Sequence, residues 1–243
     1  MNLETEKLTI GICSPGYVST LFMASIIDIL RSQKVCGQFI TLQGSGVISR
    51  LRNQVVSTFM QVTDDDWLLM VDTDQRFPLE SFKKLVEAAD AKERPIVSGV
   101  VFGGFETGSI YLEPVPCIFR LDHEEGGLRS FHDYPADSIV AVDATGTGCL
   151  LVHRSVFEKF RAEADPHQGD RWCYFQDLPM NGEWIGEDLL FCLKAVSYGF
   201  PIHAVTGAIL PHERRYWLDE RHHQDFRRFG QPPHMGKTPS TAD

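Results

Sequence analysis

The chain of 243 residues has no CxxC pair among its six cysteines, no apolar run approaching a bilayer span, and fewer bases than acids, for a formal net charge of −10. Each shortage excludes something. Cys13, Cys36, Cys117, Cys149, Cys173 and Cys192 are scattered, mostly in apolar stretches where a reduced thiol packs as a small hydrophobe. Neither a disulfide framework nor a structural zinc site is expected. The opening "MNLETEKLTIGIC" lacks the basic, apolar and small-residue succession of a secretory signal, and spanning a bilayer takes roughly 20 apolar residues. A soluble, cytoplasmic protein with no membrane span is the expectation. Net negative charge opposes non-specific attraction to nucleic acid, whose phosphates are held mainly by Lys and Arg. The local exception, "ERRYWLDERHHQDFRR", reads first as a solvated amphipathic helix.

A hydrophobic content of 43% is enough for one sizeable core. "KLTIGIC" (7–13), "QFITLQ" (38–43), "DWLLMV" (66–71) and "PIVSGVV" (95–101) read as buried strands. Between them, Val18, Leu21, Phe22, Ile26, Ile29 and Leu30, then Ile48, Leu51, Val55, Val56, Phe59 and Met60, follow helical spacing, and Pro78 opens a third helix. Strand and helix alternate, which predicts an α/β/α sandwich with a mostly parallel central sheet. Past Gly103 the rhythm turns to short strands punctuated by Gly, Pro and Asp: "SIYLEPVPCIFRL", "GGLRSFHDY" and "SIVAVDATGTGCLLVH". The helix "RSVFEKFRAEA" follows, then the long loop "DPHQGDRWCYFQDLPMNGEW", a helix in "GEDLLFCLKAVSYG" stopped at Gly199, and a last strand in "FPIHAV". One domain is expected over 1–230, with halves of about 1–103 and 104–230. The polar tail 231–243 is expected to be disordered.

The segment "WLLMVDTDQRFP" ends an apolar strand on two carboxylates, Asp72 and Asp74. In open parallel sheets ligands bind outside the carboxyl ends of the strands, where loops and helix N-termini converge. The "DDD" at 64–66 has the same spacing but enters the strand, so Asp64 and Asp66 are expected to face the opposite rim as solvated turn residues. Two acids one residue apart repel unless a cation or several donors lie between them, which favours Mg²⁺ or Mn²⁺ at Asp72 and Asp74. The competing reading is a plain cap on the turn into "PLESFKK". Likewise "WIGEDLL" sets Glu187 and Asp188 at a helix start, where carboxylates are favoured simply as caps.

Taken in order, "IGICSPGY", "ISRLRNQVV", "WLLMVDTDQRFP", "DATGTGCLLVHRSVF", "EWIGEDLLFCLKAVSYG" and a later "PH" resemble nucleotide-sugar-dependent glycosyltransferases of the GT-A fold, in particular their compact bacterial and bacteriophage members. The resemblance covers residues 8 to 215. It implies a GT-A-like sandwich with a nucleotide-binding first half and a β-rich acceptor-side second half. It also implies that Asp72, Asp74 and His212 bind Mn²⁺ or Mg²⁺, with Asp72 also contacting the donor. Ser14, Pro15 and Tyr17 then border the nucleotide base, as against an ordinary Pro-Gly turn, while Arg52 and Asn53 lie beside the diphosphate and Arg50 on the surface. Gly146, Thr147 and Gly148 let backbone approach the acceptor, as against a plain bulge, and Trp184 stacks on a sugar or base, as against core packing. His203 is expected to be a satisfied core residue.

The implied activity is transfer of a sugar from a nucleoside diphosphate donor, with UDP-sugar first in line, to an acceptor hydroxyl, with inversion. Asp188 is the expected general base and Glu187 the second candidate. Protein, glycan, lipid headgroup and modified DNA base all stand as acceptors. Two alternatives remain: a nucleotidyltransferase, against which the absence of Lys and Arg from "GICSPGYVSTLF" counts, and a non-catalytic nucleotide-sugar-binding module.

Overall fold

The computed structural model describes residues 1–2, 5–32, 37–44, 46–106, 112–124, 126–164, 173–180, 183–214 and 220–229. The tail 231–243, residues 165–172 and 181–182 of the long loop, and 215–219 of the basic stretch lie outside the described residues.

The first half follows the expected alternation: β1 (Leu8–Ser14), α1 (Thr20–Ser32), β2 (Phe39–Gln43), α2 (Ile48–Val62), β3 (Trp67–Val71), α3 (Leu79–Ala88) and β4 (Ile96–Glu106). Then come β5 (Leu112–Pro116), β6 (Ile118–Leu121), β7 (Leu128–Ser130), β8 (Ile139–Val142), β9 (Ala144–Thr145) and β10 (Cys149–His153). The rest is α4 (Arg154–Glu163), β11 (Leu178–Met180), β12 (Glu183–Ile185), α5 (Glu187–Ser197), β13 (Ile202–Leu210) and α6 (Glu220–Phe229). The main sheet runs β2-β1-β3-β10-β4-β13-β8, with β5 paired to β4. Small sheets β11-β12 and β7-β6-β9 stand beside it.

β1 pairs in parallel with β2 and β3, and β4 with β13, so the sheet is mainly parallel. The expected β-rich second half is present, yet it is not set apart from the first: β10 lies in the middle of the sheet, antiparallel to both β3 and β4. "CLLVH" is apolar throughout because both its faces are covered, and such a run carries no sign of its direction.

Alternation sorts the core into two layers. Leu68 and Met70 of β3, with Leu150 and Val152 of β10, pack with Val55, Val56 and Phe59 of α2 and Phe157 and Phe191 of α4 and α5. Trp67, Leu69 and Val71, with Cys149 and Leu151, pack with Ile26 and Ile29 of α1 and Phe82 and Leu85 of α3. Period-two alternation carries on past the strand end, so Asp72 follows Leu68 and Met70 toward α2. The five cysteines among the described residues are free thiols. No helix among the described residues is long and apolar enough to cross a membrane.

Candidate functional site

Because β1, β3 and β13 run in parallel, the segments that leave them meet at one rim, which brings Ser14, Asp72, Asp74 and His212 together from across the sequence. The turn after β3 is stitched to the segment after β13. Arg76 N–H donates to Pro211 O (2.8 Å), Glu213 N–H donates to Asp74 O (2.8 Å), and Gln75 bridges His212. Asp64 and Asp66 enter β3 at the opposite rim: Asp64 is exposed, while Asp66 accepts the Lys7 N–H at 2.9 Å. Their neighbour Asp65 is buried and accepts from Thr9 Oγ1 (2.6 Å) and the Gln38 N–H (3.0 Å).

His212 shows how this rim would receive a cation. Its Nδ1–H donates to Phe102 O at 2.8 Å, which leaves Nε2, 3.0 Å from Asp74 Oδ2, as the nitrogen whose lone pair meets a carboxylate. That contact needs a positive particle, either a proton or a metal ion. With a proton in place, the Asp74 hydrogen bond and charge hold His212 above the usual imidazole range. Burial alone would raise the Asp74 carboxyl, but the His212 hydrogen bond and charge outweigh it and keep it below the usual range. A backbone carbonyl on the far nitrogen is the usual second partner of a metal-bound imidazole, and mixed oxygen and nitrogen donors suit Mn²⁺. Asp74 and His212 therefore fit a divalent ion. Among the described residues, however, no three acids, histidines or cysteines are grouped as ligands, and both oxygens of Asp72 take hydrogen bonds from Arg52, at 3.2 and 3.3 Å.

A cleft of about 530 Å³ opens beside this turn, and its walls include Ser14, Pro15, Tyr17, Asp72, Asp74 and Arg214. Gly16, at φ +107°, makes the tight turn in the first loop. The Ser14 hydroxyl shapes that turn, accepting the Gly16 N–H at 3.1 Å and donating to Tyr17 O at 3.4 Å. Tyr17 is exposed along the cleft. Arg214 is a cation on this wall that the resembling motifs did not include; the signal for it was the basic stretch "ERRYWLDERHHQDFRR", of which it is the first base.

Arg52 and Asn53 make their hydrogen bonds to other groups of the protein. Arg52 is buried, and its other guanidinium arm donates to Glu187 Oε1. The Asn53 Nδ2 donates to Phe175 O (2.6 Å) and its Oδ1 accepts from the Tyr174 and Phe175 N–H groups (2.6 and 2.9 Å). Neither side chain lines the cleft. Arg50 is exposed, as expected.

The antiparallel course of β10 places the loop before it at the same rim. Asp72 N–H donates to Gly148 O (3.1 Å), and a Cβ at Gly148 would lie 3.5 Å from Asp72 Oδ2. A Cβ at Gly146 would lie 3.7 Å from Asp188 Oδ2 and 3.2 Å from the Cys117 Cβ. The loop thus threads between Asp72 and Asp188, and the two glycines keep the passage narrow. Thr147 is buried, its hydroxyl without a protein partner.

Glu187 and Asp188 open α5 behind Gly186, which provides no side-chain cap. Asp188 Oδ1 accepts the Leu189 N–H at 2.8 Å, so the capping expectation holds for one oxygen. Burial raises the Asp188 carboxyl above the ordinary range, with the Leu189 N–H and the Arg52 charge pulling the other way. Glu187 is raised too, chiefly by burial and against the opposing charge of Arg52. Trp184 is 75% exposed on β12, which excludes core packing. His203 lies in β13 toward the opposite rim, and its Nδ1 is buried without a hydrogen-bond partner, unlike the satisfied core residue expected.

No family model and no curated protein sequence matches this chain. Among solved structures, it is similar to A197 from STIV, with a TM-score of 0.52 and 18% identity over 89% of this chain and 99% of that one. It is also similar to GalNAc-T7, solved with UDP, GalNAc and Mn²⁺, with a TM-score of 0.56 and 10% identity over 86% of this chain. The chain spans 44% of the GalNAc-T7 chain. At these identities the likeness shows the fold, which is GT-A-like.

Proposed function

We propose that this protein is a metal-dependent glycosyltransferase that moves a sugar from a nucleoside diphosphate donor to an acceptor hydroxyl. The observation that carries the reading is the meeting, at one rim of a GT-A-like sheet, of the Asp74–His212 pair, the cleft beside it and the half-buried Asp188. The UDP and Mn²⁺ held by GalNAc-T7 support a UDP-sugar donor. The loop Ser14–Tyr17 and the exposed Tyr17 ring would receive the nucleoside. Arg214 would meet the diphosphate, for which a guanidinium fork is suited.

Asp74 and His212 would hold Mn²⁺ or Mg²⁺, with Asp72 beside the donor. When bound, the ion stabilises negative charge on the departing nucleoside diphosphate. Asp188 takes the proton of the acceptor hydroxyl on Oδ2, while Leu189 N–H fixes Oδ1. The hydroxyl oxygen attacks the anomeric carbon from the face opposite the diphosphate, and the configuration inverts. Gly146 and Gly148 would let the backbone approach the acceptor closely, and the exposed Trp184 ring would stack on a sugar. The acceptor class stays open among protein, glycan and modified base, and a cytoplasmic location belongs to the same reading.

The test is a melting-temperature screen of nucleotide sugars with and without Mn²⁺, followed by transfer assays on the donor that binds. Asp74→Ala should abolish metal-dependent stabilisation. Binding without turnover of any donor would instead support a non-catalytic module.

A further inference from the structure

Two consecutive residues of α2 hold α5 at two points. Arg52 bridges the acid that ends β3 to the acid that begins α5, gripping Asp72 with one guanidinium arm and Glu187, 135 residues away in sequence, with the other. Its side chain is 7% exposed, and those of its partners Asp72 and Glu187 are 33% and 11% exposed. Asn53 clamps the backbone of Tyr174 and Phe175 with three hydrogen bonds. The Phe175 ring in turn stacks on Phe191 of α5, with centroids 4.7 Å apart and planes within 14°. The first turn of α5 is thereby tied to the end of β3, and its second turn to the middle of α2.

We propose that Arg52 and Asn53 are positioning residues that set the start of α5, and with it Asp188, against the Asp72–Asp74 turn. This inference rests on the glycosyltransferase reading above. Asp188 follows Glu187 directly, and its Oδ1 is anchored to Leu189 N–H, so the direction of Oδ2 is decided by where the helix begins. Gly146 places no side chain between that oxygen and the β9–β10 loop. The planar guanidinium is the group for this bridge, because its fixed fork presents donors to two carboxylates at once. An ammonium, being a point charge, can satisfy one acid but not define the angle between two. Burial makes the bridge exacting as well, since losing one partner strands a charge away from water.

The same geometry separates this role from diphosphate binding: both arms of Arg52 are occupied by protein acids, and the side chain does not line the cleft. Displacing a base by about 1 Å costs on the order of 100-fold in rate. Loosening the bridge should therefore slow turnover without weakening nucleotide binding.

The experiment uses the full chain as wild type, Glu187→Gln and Arg52→Lys. Affinity for UDP with Mn²⁺ is measured by calorimetry. Turnover is measured as release of labelled sugar to water from UDP-glucose, UDP-galactose, UDP-N-acetylglucosamine and UDP-N-acetylgalactosamine. Both variants should bind UDP within about 3-fold of wild type, while turnover falls about 30- to 100-fold. Near-isosteric Glu187→Gln keeps the test standing if Arg52→Lys does not fold. Wild-type turnover in Glu187→Gln overturns the proposal, as does a loss of UDP affinity in Arg52→Lys that uridine does not share. A drop in rate that merely tracks the folded fraction overturns it too. If wild type itself neither binds nor turns over any donor, the glycosyltransferase reading fails and the positioning role falls with it. Active wild type with unimpaired variants removes the positioning role alone.

Discussion

At Asp188 one carboxylate oxygen caps its own helix and the other lies beside Gly146, so capping and proton transfer would be two uses of one side chain. Removing the acceptor oxygen should separate them. Asp188→Asn should leave Mn²⁺-dependent nucleotide affinity near wild type and lower transfer by about 10²- to 10⁴-fold, read as kcat against donor KM. The raised Asp188 carboxyl also sets a pH dependence. A base must be ionised to take a proton, so transfer should fall as pH drops through that raised pKa, earlier than for an ordinary aspartate. In Asp188→Asn the residual rate should lose this acid limb. A wild-type pH–rate profile flat down to the usual carboxylate range would remove Asp188 as the base. The residue types at the site were legible in the sequence, because two acids ending an apolar strand and two acids opening a helix are local patterns. Which partner each acid takes was not. Arg52 lies one residue from Asn53 and reads like a phosphate ligand, yet the helix turns it inward onto Asp72 and Glu187.

Among the elements, β3 carries an acidic group at each end, and the two do different work. At its entry, Asp65 is 5% exposed and accepts from Thr9 of β1 and from Gln38 just before β2, tying both to the start of β3. Asp65→Ala leaves those donors unpaired and should cost about 1–3 kcal/mol in urea unfolding without changing nucleotide affinity. At the exit, Asp74→Ala or His212→Ala should do the opposite, removing the metal response with a smaller effect on unfolding. Helix α4 is locked to the same entry rim: Arg154 donates to Asp65 O (2.7 Å) and Thr63 O (2.9 Å) and lies over the Phe59 ring. The strands of the first half were readable from apolar runs of four to seven residues, and α2 and α3 from their spacing. β10 was readable as a strand but not as an antiparallel one, since direction depends on the connections at its ends.

For the whole molecule, ligand binding to the native state alone should appear as stability. With UDP and Mn²⁺ at about 100 times Kd, stabilisation is about 2.7 kcal/mol. For a chain of this size that corresponds to a rise of roughly 5–10 °C in Tm. Absence of any rise with nucleotide and metal together would sink the donor-site assignment. On its own, the order of residues along the chain determined the α/β class, the buried strands, and the placement of Asp72, Asp74 and Asp188 at the ends of elements. These follow from periodicity and from turn and capping chemistry, which act between near neighbours. Only the tertiary structure decided that β10 enters the sheet in reverse, that His212 meets Asp74 across 138 residues, and that Arg52 joins Asp72 to Glu187. Those pairings are set by the closing of a sheet and the packing of helices on it, forces that act through space and leave no mark on local sequence.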